Sequence, residues 1–193
     1  MTATKTRSVR GPAGTVTRHW PTPAIITSIE LTGITGDGLD RIGADGPPLE
    51  ILPPGDVLDD IEELAAEFRA SFTALSEVPM PAVEVGDVDL QIQVWRHGYD
   101  VPAAGHPAAL IGWCLLAAGG TPGHAESGSL AISDPRAGSE MTAMPGLPWG
   151  RQIMTPPTPG AHLVIPGWLT HAVVPLERGQ YVVAAFASSK PAR

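Results

Sequence analysis

Pro159-Gly160-Ala161-His162-Leu163-Val164-Ile165-Pro166-Gly167-Trp168-Leu169-Thr170-His171 is the stretch that decides the fold. Two Pro-Gly pairs bracket Ala161 to Ile165, a run of strand length, and a further apolar run opens at His171. His162 alternates out of phase with Ala161, Leu163 and Ile165, which gives it a solvent or cross-strand role rather than a ligand role. The same punctuation recurs on both sides. Leu90 to Trp95, Ala109 to Ala118, Ser129 to Ile132, His171 to Val174 and Tyr181 to Phe186 are short apolar runs separated by Gly, Pro and Asp clusters. With 22 Gly and 21 Pro in 193 residues, helices are interrupted too often for a bundle. The pattern predicts an α+β, mainly β domain of double-stranded β-helix (jelly-roll, cupin-like) form over residues 18–189.

One helix stands apart, around residues 57–75. Asp56 is positioned to cap it, Asp59 and Asp60 complement its dipole, and Val57, Ile61, Leu64, Ala65, Phe68 and Phe72 form an apolar stripe. Such a stripe supports a sheet. A flanking strand is expected from Ala24 to Leu31, after the turn Pro21-Thr22-Pro23, and residues 1–17 read as a flexible tail.

Composition narrows the function. The formal charge of -8, without a basic stripe, argues against nucleic acid. No run reaches the roughly 20 apolar residues of a membrane span. Cys114 stands alone in an apolar run and reads as a small buried hydrophobe in a cytoplasmic protein. The partner expected is a small molecule; a homodimer is open, and the sequence does not fix the oligomeric state.

Ile165 to His171 closely matches a Phe-Pro-Ser-Trp-Leu-x-His motif, His19-Trp20-Pro21-Thr22-Pro23 is similar to Phe-Pro-Thr-Pro, and Ile111-Gly112-Trp113-Cys114-Leu115 occupies the place of Ser-Gly-Val-Tyr-Tyr. Those motifs belong to bacterial 2-oxoglutarate/Fe(II) oxygenases, which the chain resembles from about His19 to Ser188. The resemblance implies a double-stranded β-helix, the cofactors Fe(II) and 2-oxoglutarate, and His171 as the distal iron ligand. It also implies an early His-x-His-Pro segment, where this chain reads Pro102-Ala103-Ala104-Gly105-His106-Pro107-Ala108. Matching His106-Pro107 to His-Pro restores the second His and leaves Ala104 in the place of the first.

A facial triad needs three ligands converging on one side of the metal. His106, His171 and Asp100 are the candidate set; His97 and His124 are other sources of the third ligand, and a His-x-Ala reading of His106-Pro107-Ala108 would leave room for a halide or water. Where the family grips 2-oxoglutarate with an Arg, Tyr181 stands here, with Arg178 close by in a turn and Arg151 beside Trp149 as other anion anchors. Asp134-Pro135-Arg136 reads as a structural turn. Trp95, Trp113 and Trp168 are candidate pocket walls. Three functions stay open: hydroxylation or a related oxidation of a small molecule with Fe(II) and 2-oxoglutarate; metal-independent acid/base chemistry such as cyclisation, isomerisation or elimination by His171, His106, Asp100 or Tyr181; and non-catalytic binding of a small molecule.

Overall fold

The computed structural model describes residues 9–11, 14–19, 22–78, 85–121, 123–135 and 152–190. Its elements in chain order are β1 (Val9–Gly11), β2 (Gly14–His19), β3 (Thr22–Ser28), β4 (Leu49–Leu52), α1 (Ile61–Ser76), β5 (Val88–Arg96), β6 (Leu110–Gly119), β7 (Leu130–Ile132), β8 (Ile153–Thr155), β9 (Ala161–Pro166), β10 (His171–Val173) and β11 (Tyr181–Ser189). Eight strands form one antiparallel sheet in the order β1-β2-β3-β9-β6-β11-β5-β4, and three short ones form a second, β10-β7-β8. Residues 9–11 and 14–17, read as tail, instead supply β1 and most of β2; the β-branched Thr15, Val16 and Thr17 suit the strand that pairs with β3.

The strand period of two gives the large sheet two buried faces. Along β11, Val183, Ala185 and Ala187 pack toward α1, while Val182 and Ala184 pack toward the small sheet. In β6 the division is Cys114 and Leu116 against Ile111, Trp113 and Leu115. The inner core therefore lies between the sheets, where Leu130, Ile132 and Val173 meet Ile165 and Val182. This is the double-stranded β-helix expected from the sequence, with the helix on its outer face.

The α1 boundary differs from the expectation. Asp60, not Asp56, is the cap, accepting from the Glu63 amide at 2.8 Å. Pro54 opens a separate 3₁₀ turn that ends at Asp56, and Leu58 then bridges to Thr35, so the helix begins only after the chain leaves that bridge. Val57 is buried ahead of the helix and Ile61 is 40% exposed; the packing stripe is Leu64, Phe68, Phe72 and Leu75. Each of these stabilises the fold by about 1.5–3 kcal/mol through burial. Gly112 permits the close approach, since a Cβ there would lie 3.0 Å from the Phe68 ring and 2.9 Å from the Leu163 carbonyl oxygen.

His162 is not at a solvent position: on β9 it shares the α1 face with Val164 and is fully buried. One ring nitrogen, Nε2, is 2.9 Å from Ser71 Oγ, and the ring packs edge-on against Phe68 at 4.9 Å between centroids. Nδ1 makes no hydrogen bond, and the nearby Trp113 backbone only partly offsets a burial that pushes the His162 pKa down to about 4. Cys114 is likewise buried, its thiol pushed up to about 12 first by burial and then by Glu67, so it is an inert hydrophobe as the sequence suggested.

The depressed His162 pKa means that the unfolded chain takes up this proton more readily than the folded one. Stability from this group is therefore present above about pH 6.5 and is lost as pH falls toward 4, at about 1.4 kcal/mol per pH unit. Urea unfolding midpoints across that range should show this slope, and a His162→Gln variant should flatten it. Ser71→Ala should cost about 1–3 kcal/mol by leaving a buried ring nitrogen unpaired.

Candidate functional site

A cavity of about 410 Å³ opens on the small-sheet side of β5 and β11. Its floor is one face of β5, where Asp89, Gln91, Gln93 and Trp95 project by alternation, extended by Phe186 and Ser188 of β11. Trp113 of β6 forms the back. His171, at the start of β10, and His106, from the 104–109 loop, complete the lining.

Backbone pairing holds the two imidazoles there. Ala104 and His171 exchange both amide hydrogen bonds, at 3.1 and 3.0 Å, so the loop runs antiparallel to β10. Two residues on, the His106 amide donates to the Gly167 carbonyl at 2.7 Å, and Gly167 donates to the Ala109 carbonyl at 2.9 Å. Gly167 has no room for a side chain: a Cβ would sit 1.9 Å from the Ala108 carbonyl oxygen. Aromatic contacts complete the frame. Trp113 packs edge-on to His171 at 4.9 Å and lies 5.5 Å from Phe186, which in turn meets His106 at 5.4 Å. Tyr99 stacks on Trp95 at 5.7 Å, and Trp95 Nε1 donates to Gln93 Oε1 at 3.0 Å.

The two rings differ in the backbone group that meets Nδ1. His171 Nδ1 lies 3.1 Å from the Leu169 carbonyl, which can only accept, so Nδ1 carries the proton and Nε2 keeps its lone pair. His106 Nδ1 instead accepts from the Ala108 amide at 3.1 Å, so its neutral ring carries the proton on Nε2. Burial lowers the His171 pKa; the Leu169 hydrogen bond opposes this, and His106 adds to it. His171 is thus a neutral acceptor near pH 7.

Of the residues singled out from the sequence, His106, His171, Trp95 and Trp113 meet at this cavity. Asp100, Tyr181, Arg178 and Trp168 do not line it. Asp100 is exposed, while its neighbours Tyr99 and Val101 turn inward. Tyr181 falls on the odd-numbered face of β11, which packs toward α1. Arg178 is exposed in the turn before β11, and Trp168 is 60% exposed in the turn after β9. Arg151, Trp149 and Arg136 lie outside the described residues. His97 is turned to the Leu176 carbonyl at 3.0 Å, and His124 accepts from the Glu126 amide on the exposed loop. The sequence reading missed Asp89, Gln91, Gln93, Tyr99, Phe186 and Ser188; the polar alternation of Val88 to Arg96 was the available signal, but it is also how a solvated strand face reads.

The donor set does not fit Fe(II) with 2-oxoglutarate. Among the described residues no group of three His, Cys, Asp or Glu side chains converges to hold a metal ion. The Nδ1 lone pair of His106 is moreover taken up by the Ala108 amide, which puts the proton of the neutral ring on Nε2. Among the described residues no Lys or Arg lines the cavity to pair a carboxylate, and buried Arg96 is engaged elsewhere, by the Gly43 and Pro47 carbonyls and by Glu50 at 2.8 Å.

No protein-family model and no curated protein sequence matches the chain. Among solved structures, a prolyl-4-hydroxylase from Pseudomonas putida is similar at 14% identity over 87% of this chain and 78% of its own, with a TM-score of 0.54. HygX from Streptomyces hygroscopicus, solved with nickel, 2-oxoglutarate and hygromycin B bound, gives 15% identity over 88% and 83% of the two chains and a TM-score of 0.44. The likeness to the hydroxylase is one of fold and agrees with the resemblance read from the sequence. No helix among the described residues is long and apolar enough to cross a membrane.

Gly167→Ala tests the frame. The new Cβ must push the 104–109 loop off the β9–β10 turn, costing about 1–3 kcal/mol; a fall in Tm of about 5 °C is expected, at roughly 2–4 °C per kcal/mol for a chain of this size. An unchanged Tm would show that the loop is not fastened at this point.

Proposed function

We propose that this chain is an enzyme that uses an oxygenase-type fold for metal-independent acid/base chemistry on a small molecule, the class that includes cyclisation, isomerisation and elimination. The observation that carries the reading is the pair of imidazoles with opposite tautomers on one cavity. His171 Nε2 acts as the base. It takes a proton from the substrate, and the resulting imidazolium is stabilised through Nδ1–H by the Leu169 carbonyl. His106 Nε2–H donates to the substrate atom on which negative charge develops, held in that orientation by the Ala108 amide. Trp113 and Phe186 fix the ring planes and keep water from the reacting atoms. The lowered His171 pKa keeps the base unprotonated at neutral pH and holds the acid limb of the rate profile below pH 6.5.

A second reading, Fe(II) and 2-oxoglutarate oxygenation, is favoured by two imidazoles sharing one cavity and by the backbone pairing of Ala104 with His171. Directly opposed residues in such a pair have Cβ atoms roughly 5 Å apart. Ala104 is thus the position whose side chain decides whether three ligands converge.

Both readings can be separated without a substrate. Nitrogen-15 NMR of the histidine rings should find the proton of His171 on Nδ1 and that of His106 on Nε2; the same tautomer in both would sink the acid/base pair. Titration by the same method should place the His171 pKa below 6.5. Metal analysis after incubation with Fe(II) should find no stoichiometric iron in the native protein and gain of iron in an Ala104→His variant. Stoichiometric iron in the native protein, with a visible charge-transfer band on adding 2-oxoglutarate, would select the oxygenase. With a substrate in hand, His171→Ala should lower kcat by about 10²–10⁴ while leaving the fold nearly intact.

A further inference from the structure

The walls of the cavity carry a charge pattern that the two histidines do not use. Along β5, Asp89, Gln91 and Gln93 present one carboxylate and two carboxamides, and Ser188, opposite Asp89 in register, adds a hydroxyl. The apolar part of the lining includes four aromatic rings, Trp95 stacked with Tyr99 and Trp113 beside Phe186. Aromatic faces carry the negative side of a quadrupole and attract cations. Lys190, half exposed, has its Nζ 3.5 Å from Asp89 Oδ1 and does not line the cavity. A chain of net charge -8 adds a long-range field of the same sign.

We propose that the ligand of this cavity is an amine-bearing, ring-containing small molecule, its ammonium held at the Asp89 and Ser188 end and its ring against Trp113 and Phe186. The inference rests on the acid/base reading of the same cavity and names its substrate class. Phe186 stands opposite Gln91 and contacts His106, and Asp89 lies two residues farther along the strand. The ammonium is therefore held about 7 Å from the row that faces the histidines, far enough that the binding charge and the reacting atom are different parts of one molecule. The ammonium replaces Lys190 as the partner of Asp89, and Gln91 offers a carbonyl oxygen to a second of its protons. A carboxylate in the same place would meet Asp89 and the aromatic rings, with no Lys or Arg among the described lining residues to pair it.

The experiment titrates three probes of one shape, 2-phenylethylamine, 2-phenylethanol and 3-phenylpropionate, against the full chain in the presence of a chelator, following tryptophan fluorescence. The amine is expected to bind about fivefold more tightly than the alcohol, which in turn exceeds the carboxylate; this size is set by a partly exposed ion pair together with a cation–π contact. Asp89→Asn should remove the advantage of the amine while leaving the alcohol unchanged, and Lys190→Gln should increase it. Equal affinities, a preference for the carboxylate, an amine preference that survives Asp89→Asn, or no binding of any probe would each overturn the proposal. Because the chelated protein is titrated and the ring tautomers are measured separately, failure of the amine preference leaves the acid/base pair standing, and failure of that pair leaves the preference to be read on its own.

Discussion

Burial on both sides of the central strands is the constraint from which the rest of this molecule follows. A strand exposed on one face can slip by a residue at the cost of a rearranged surface, whereas β6, β9 and β11 would then send every side chain into the wrong core. On one side α1 inserts Phe68 and Phe72; on the other the small sheet inserts Leu130 and Ile132. With the register locked, Trp113 and Phe186 have no freedom to leave the cavity side, and the histidines are placed against fixed walls.

The same constraint explains which parts of the sequence were legible. Gly and Pro pairs marked the strand limits because they act locally, so β6, β7, β9 and β10 lie within a residue or two of their expected bounds. His171 was legible from its motif, and His106 from the His-Pro pair, because both lie in short segments whose neighbours fix them. Parity was harder to read. Tyr181 was assigned to a site by its distance from His171 along the chain, yet its odd-numbered place on β11 faces it toward the helix. His162 looked like a surface residue because a polar group between apolar ones normally is; α1 covers that face and makes it core. Asp89, Gln91 and Gln93 were missed for the converse reason, since a cavity floor and a solvated surface have the same alternation.

Main-chain pairing, more than any side chain, carries the geometry of the cavity. Here the loop bearing His106 is placed by main-chain hydrogen bonds to His171 and Gly167, none of which depends on a ligand ion. Ala104 keeps its place in that ladder without contributing a donor. The two imidazoles are oriented by carbonyl and amide groups of their own loops, which hold them in different tautomers.

The reciprocal fastening of Gly167 to His106 and Ala109 has a kinetic meaning as well. Because the turn after β9 and the 104–109 loop share those bonds, neither can peel away alone, and the corner should open as one cooperative unit. Amide hydrogens of Ala104, His106, Gly167 and His171 would then exchange with solvent in a single shared event, and the cavity would be either whole or absent, with no half-assembled form.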